Sequence, residues 1–177
     1  MKLIFLCTLL LGMVSSLFAN ASQSVSAFVG SRAPDFELDA IGGKTKLSNY
    51  FHKGKATVVV FSRASWCPFC LRQLIEFRRN AEAFTEANAE ILFVFREESK
   101  GIDGLKAIQA RAKSNFAMAL DNGKAKTSLY SASEGEFSTY IIDDSGTIQE
   151  IIKGDIRNRV KSRRILDSVD SLSAVTA

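Results

Sequence analysis

The sequence predicts an α/β layered fold, and three observations predict it. Two short apolar runs, Ala56-Thr57-Val58-Val59-Val60-Phe61 and Ile91-Leu92-Phe93-Val94-Phe95, have the length and side chains of buried strands. Each is followed by apolar residues repeating at three and four positions, the spacing of an amphipathic helix. Near the end, two strand-like runs close around a glycine-containing turn before a last helical stretch. Strand–helix units followed by a hairpin and a closing helix give a central mixed sheet flanked by helices.

Taken in order, Phe36-Glu37-Leu38 and Thr45-Lys46-Leu47 flank Gly42-Gly43 and read as an N-terminal hairpin extension. Ser48 is placed to cap a short helix through Tyr50-Phe51. The strand at 56–62 leads into a helix starting near Cys67, with Leu74, Phe77, Ala81 and Phe84 on its inward face. After the strand at 91–95, residues 104–112 predict a helix that turns Leu105, Ile108 and Ala112 inward. Residues 116–120 read as a strand entering Asp121-Asn122-Gly123, and a short helix is expected through Leu129-Tyr130. Thr139 to Ile142 and Thr147 to Ile152 surround Asp144-Ser145-Gly146 as a second hairpin. Asp155 is placed to cap the last helix, which runs toward Leu172 with Val160, Ile165, Val169 and Leu172 on its apolar side.

The chain has 177 residues and a formal net charge of +4. Lys2, an apolar run from Leu3 to Val14, and Ala19-Asn20-Ala21 together describe a secretory signal peptide. The expected organisation is a signal peptide at 1–21, a flexible Ser/Ala-rich lead at 22–28, and one domain at 29–177; an uncleaved anchor is the alternative. Export leaves Cys67 and Cys70 in a disulfide-permitting compartment, the periplasm if the source is Gram-negative. Positive charge gathers at Lys153, Arg157, Arg159, Lys161, Arg163 and Arg164. Without interleaved aromatics, and opposite an apolar stripe, this cluster reads as a solvated helix face and not a nucleic-acid patch. No phosphate-binding glycine loop is present, so no cofactor is implied.

The chemistry lies in Ser65-Trp66-Cys67-Pro68-Phe69-Cys70. Cysteines three positions apart on a first helical turn share a face and can close a small disulfide. The first thiol also meets unpaired backbone N–H groups and the positive end of the helix dipole, which lower its pKa and make it a nucleophile near neutral pH. Pro68 is tolerated because a first-turn residue has no helical acceptor for the N–H it lacks. Two other readings exist. Half of a zinc site would need more donors than Cys7 and the single histidine, His52, supply, so no metal site is expected. A passive disulfide closes too short a loop to stabilise the fold much by chain entropy.

Ala33-Pro34-Asp35-Phe36, the strand from Lys55 to Phe61, Trp66-Cys67-Pro68-Phe69-Cys70 and Thr139-Tyr140-Ile141-Ile142-Asp143-Asp144-Ser145-Gly146 resemble the thioredoxin-fold redoxins. Among these the chain is most similar to the alkyl hydroperoxide reductase/thiol-specific antioxidant branch and its peroxiredoxin-like relatives, over about residues 29–166. The resemblance implies a thioredoxin-like fold, Cys67 as attacking thiol and Cys70 as buried resolving thiol. In two places the chain departs from the pattern. Peroxiredoxins carry P-x-x-x-T-x-x-C around the reactive cysteine, whereas Val60 and Ala64 hold the Pro and Thr positions here, with Ser65 or Arg63 as nearby substitutes. Thioredoxins carry a cis-proline before the strand at Thr139, and Phe137 occupies that place.

Around the two cysteines, Trp66 reads equally as a shield of the nucleophile or as a half-buried packing residue. Arg63 reads as an exposed arginine ahead of a charge that lowers the Cys67 pKa, and Glu37 and Glu76 read as solvated glutamates ahead of proton acceptors for Cys70. The leading function is an exported thiol–disulfide oxidoreductase acting on a protein or small-molecule disulfide, supplied with electrons by an external thiol donor. It would be a monomer or weak dimer with no nucleic-acid partner. An antioxidant peroxidase reducing hydroperoxides is the alternative, and a non-enzymatic redox-sensitive binding module the third reading.

Overall fold

The computed structural model describes residues 26–130 and 135–176. The expected signal peptide, its cleavage point and residues 22–25 of the lead lie outside the described residues. At residue 27 the chain is already tied down, with the Ala27 N–H donating to the Leu129 carbonyl at 2.8 Å.

Seven strands form one sheet: β1 (Glu37–Ala40), β2 (Gly43–Lys46), β3 (Ala56–Ser62), β4 (Ala89–Phe95), β5 (Ala117–Leu120), β6 (Thr139–Ile142) and β7 (Ile148–Ile152). Their order is β2-β1-β5-β4-β3-β6-β7. β3 pairs parallel with β4, and β4 with β5, while β1, β6 and β7 join antiparallel. The centre explains the unbroken apolar runs: Val58 and Val60 face one layer of core, Val59 and Phe61 the other. A strand covered on both faces has no solvent side on which to place polar residues.

Four helices, α1 (Pro68–Arg79), α2 (Ala81–Glu86), α3 (Gly101–Ala112) and α4 (Ser162–Thr176), bury their apolar stripes on one face of the sheet. The other face is covered by Ala27, Ala33, Phe36, Leu47 and Tyr130. The mixed sheet with its N-terminal hairpin and flanking helices is the predicted architecture. Among the described residues no helix is long and apolar enough to cross a membrane.

Several local expectations are corrected. The stripe read as one helix breaks at Asn80, so Phe84 folds back with its ring 5.3 Å from that of Phe77. Ser48 is not a cap: the short 3-10 helix starts at Leu47, and the Ser48 N–H binds the Asp35 carboxylate. Residues 125–130 form turns where a helix was expected, and a 3-10 turn occupies Asn122–Lys124 instead.

Asp155 does not cap α4. Its carboxylate takes the backbone N–H groups of Arg157 and Asn158, both at 2.7 Å, a local turn that competes with helix formation. The helix starts seven residues later, where Glu76 of α1 accepts the Ser162 N–H at 3.0 Å and its hydroxyl at 2.5 Å. Arg157, Arg159 and Lys161 therefore lie on a loop and not on a helix face.

Candidate functional site

Parallel strands β3 and β4 end side by side, and the segments leaving them, 63–67 and 96–100, meet beyond their carboxyl ends. This is where open α/β sheets place their sites. Leaving β3, the chain passes through buried Ala64, whose carbonyl accepts the Cys67 N–H at 3.1 Å. Cys67 then occupies the N-cap of α1 in extended conformation (φ −77°, ψ 117°) with Pro68 as the first helical residue. The sequence folds this way because Pro68 fixes its own φ and disfavours a helical conformation for the residue before it.

Both thiols are free and buried, Cys67 2% exposed and Cys70 fully covered. The neighbouring Cys70 thiol favours the Cys67 thiolate most. Burial opposes it, and the N–H groups of Phe69 and Cys70 and the charge of Arg159 add to the stabilisation, taking the Cys67 pKa down to about 5. No side chain closes the helix cap with full hydrogen-bond geometry, so these N–H groups act on the sulfur as aligned dipoles. Cys70 moves the other way: the adjacent Cys67 and its own burial hold it protonated well above the ordinary thiol value. The opposite shifts separate a sulfur that is ionised near neutral pH from one that stays protonated.

Arg159 was missed as a site residue by sequence reasoning. Its guanidinium donates toward the Cys70 sulfur at 3.5 Å and to the Phe61 carbonyl at 3.3 Å. The same group stacks on the Phe137 ring, 4.1 Å from its centroid. Phe137, held by an N–H bond to the Gly154 carbonyl, thus supports an arginine over the sulfur pair.

Arg63 is half-buried, neither the exposed arginine favoured from the sequence nor a side chain bonded to either sulfur. It pairs with Glu97 at 2.5 Å and lies over Trp66, 4.6 Å from the ring centroid. It feels the charge of both sulfurs, but Arg159 is the guanidinium that reaches Cys70. Trp66 is 51% exposed, next in the chain to a nearly covered Cys67. The loop is braced from β4 as well: the Ser65 N–H donates to Glu98 at 2.5 Å and its carbonyl accepts from Arg111 at 3.1 Å. Glu98 is itself fully buried against Gly104, where any side chain would collide with it. A signal existed for these acids, since Arg96-Glu97-Glu98 directly follows an apolar strand.

Neither candidate proton acceptor reaches Cys70. Glu37 is on the edge hairpin, paired with Lys44, and Glu76 is engaged by Ser162. His52 is exposed near Glu90, at 3.8 Å. Val60 and Ala64 are both buried and bring no hydroxyl to the sulfur. Among the described residues no cluster of three or more His, Cys, Asp or Glu side chains suited to a metal ion forms.

The sequence profile of the AhpC/TSA family matches residues 29–151. The chain is 32% identical to peroxiredoxin Bcp of Bacillus subtilis over 144 residues, covering 75% of this chain and 89% of that one. It is 30% identical to the chloroplastic peroxiredoxin Q of Sedum lineare, covering 76% of this chain and 70% of that one. It spans 62% of the length of the Suaeda salsa relative and 57% of that from Oryza sativa. By fold it is similar to peroxidoxin BcpB of Mycobacterium tuberculosis, with a TM-score of 0.71 at 16% identity over 82% of this chain and 98% of that one. It is also similar to the thioredoxin domain of a thiol-disulfide oxidoreductase from Bacteroides vulgatus, with a TM-score of 0.64 at 20% identity over 84% of this chain and 99% of that one.

Proposed function

The chain belongs to the AhpC/TSA family and is an oxidoreductase of thioredoxin-like fold, and from that premise we propose that it is an exported thiol–disulfide oxidoreductase working through Cys67 and Cys70. One observation carries the reading: a low-pKa thiol at the helix start is backed, one turn on, by a fully buried thiol held protonated. The Cys67 thiolate attacks a substrate disulfide, whose S–S bond breaks and releases one thiolate. Cys70 then gives up its proton and attacks the Cys67 sulfur, releasing the second thiol and closing the internal disulfide. Arg159 favours the Cys70 anion formed in that second step. An external thiol donor returns the two electrons. Residues 1–21 would deliver the protein to the periplasm of a Gram-negative cell.

The test is to trap the intermediate. Reduced Cys70→Ser protein exposed to a disulfide should retain a mixed disulfide on Cys67, while Cys67→Ser should form none. A Cys67→Ser variant that still reduces disulfides overturns the assignment.

A second reading, a hydroperoxide-reducing peroxidase, is favoured by the relatives named as peroxiredoxins. Cys67 would become a sulfenic acid, and Cys70 would condense with it, releasing water. Against it stands the apolar wall at Val60 and Ala64, since peroxide cleavage needs preorganised donors around the leaving oxygen. Stopped-flow oxidation by peroxide separates the two. A rate no faster than a free thiol at the same thiolate fraction excludes the peroxidase. The third reading, a non-enzymatic binding module, yields to the family's oxidoreductases.

A further inference from the structure

Next to the sulfur pair, between the first turns of α1 and the loop at 157–161, lies a cavity of about 260 Å³. Phe69, which separates the two cysteines in the chain, lines it, and so does Arg159, whose guanidinium reaches Cys70. The two cysteines lie outside its lining, and Arg159 joins its wall to the Cys70 sulfur. Its size is just under the roughly 300–1,000 Å³ of small-molecule sites, which suits an amino-acid-sized group and not a protein surface.

The lining selects by charge. Arg72, Arg157, Arg159 and Lys161 all contribute to the wall, and among the described residues none of their side chains forms an ion pair with a carboxylate within 4.0 Å; the nearby Asp155 carboxylate accepts the Arg157 backbone N–H at 2.7 Å. Glu76 is the acid in the lining, and its oxygens are taken by Ser162. Phe69 adds an apolar surface, with Arg72 laid over its ring 5.0 Å from the centroid. Such a wall attracts anions.

Gln73, also in the lining and only 5% exposed, ties α1 to the loop by donating its amide N–H to the Val160 carbonyl at 3.2 Å. The recognition the wall offers is therefore one of charge, for a carboxylate on the substrate.

We infer that this cavity is a substrate subsite, and that the disulfide reduced at Cys67 is a small anionic disulfide whose carboxylate meets the Arg157–Lys161 wall. The inference rests on the disulfide-exchange reading above. The electron balance is that of the same exchange: the dithiol of Cys67 and Cys70 gives two electrons, the substrate S–S bond breaks, and two small thiols leave.

The experiment follows single-turnover oxidation of the reduced full-length protein through the fluorescence of Trp66, its one tryptophan. Four disulfides are compared: glutathione disulfide, dithiodipropionate (carboxylates without N–H groups), neutral hydroxyethyl disulfide and cationic cystamine. Both anionic disulfides should react faster than the neutral one and the neutral one faster than the cationic one, with glutathione disulfide about tenfold or more ahead of hydroxyethyl disulfide at low salt and the gap narrowing as salt rises. In the Arg157→Ser/Lys161→Ser variant the ratio of those two rates should fall about tenfold. Cystamine reacting as fast as glutathione disulfide, or a ratio indifferent to salt and to the double variant, overturns the subsite while leaving disulfide exchange in place. Dithiodipropionate reacting no faster than hydroxyethyl disulfide overturns the anionic class. Oxidation by none of the four overturns the exchange reading, and the subsite with it.

Discussion

The Arg159 guanidinium lies 3.5 Å from the Cys70 sulfur and 4.1 Å from the centroid of the Phe137 ring, so one planar cation joins the buried thiol to the loop before β6. A lysine ammonium is a compact point charge and cannot reproduce this stack together with the bond to the Phe61 carbonyl. Arg159→Leu should shift the alkylation profile of Cys67 to higher pH and slow resolution by Cys70 by about tenfold, the worth of one charge-assisted hydrogen bond. Rapid-quench mass spectrometry would show the mixed disulfide lingering. Arg159→Lys should restore the pH profile more fully than the resolution rate.

Trp66 and its stacked partner Arg63 form the exposed rim beside Cys67. Trp66→Ala should raise the rate of modification by a bulky maleimide more than by iodoacetamide, because size matters only where access is restricted. The exposed cation–π contact accounts for less than about 1 kcal/mol, so the urea midpoint should move little. Equal acceleration for both reagents would remove Trp66 as a shield.

Glu76 holds the first turn of α4 in place of a local cap. Glu76→Ala leaves the Ser162 N–H and hydroxyl without their partner and should cost about 0.5–2 kcal/mol, as capping losses do. Denaturant unfolding should show a lower midpoint with an unchanged slope. A midpoint equal to that of the parent would mean that α4 starts by another route.

Gly104 sits where a Cβ would be 2.3 Å from the Glu98 carboxyl. Gly104→Ala must displace Glu98, freeing the Ser65 N–H, and should destabilise by about 1–3 kcal/mol. Burial pushes the Glu98 carboxyl up, but the bonds from Ser65 and Lys100 outweigh burial and hold it below the ordinary value. Its stabilising contribution is therefore complete above the unfolded carboxylate pKa of about 4.3 and is lost as pH falls through the lower folded value. Gly104→Ala should flatten this part of the acid-unfolding curve, measured by circular dichroism.

Sequence periodicity reveals the sheet and the cysteine pair because both are local signals. β3 and β4 are continuous apolar runs, and Pro68 after Cys67 marks a helix start. The contribution of Arg159 is not local. Val160, Ile165, Val169 and Leu172 continue a helical spacing back across the loop, so the arginine beside Val160 looks like part of a solvated face. The turn that Asp155 forms with Arg157 and Asn158 breaks that pattern. Glu76 was found as a candidate but for the wrong partner, since its distance to Ser162 is set by how α1 packs beside the start of α4. Glu97 and Glu98 were open to detection from their position after an apolar strand.

The central claim is that Cys67 is the thiolate and Cys70 the proton holder, and titration of the reduced protein tests it most directly. Ultraviolet thiolate absorbance is followed against pH, with mass-resolved alkylation to assign the sulfur. The account predicts a first ionisation near a pKa of about 5, alkylation at neutral pH confined to Cys67, and a Cys70 that resists modification. Because the Cys67 pKa is depressed in the fold, its contribution to the stability of the reduced form is complete above the unfolded thiol value of about 8.5 and is lost as pH falls through about 5. A first ionisation at or above about 8.5, with both cysteines alkylated at similar rates, would contradict it.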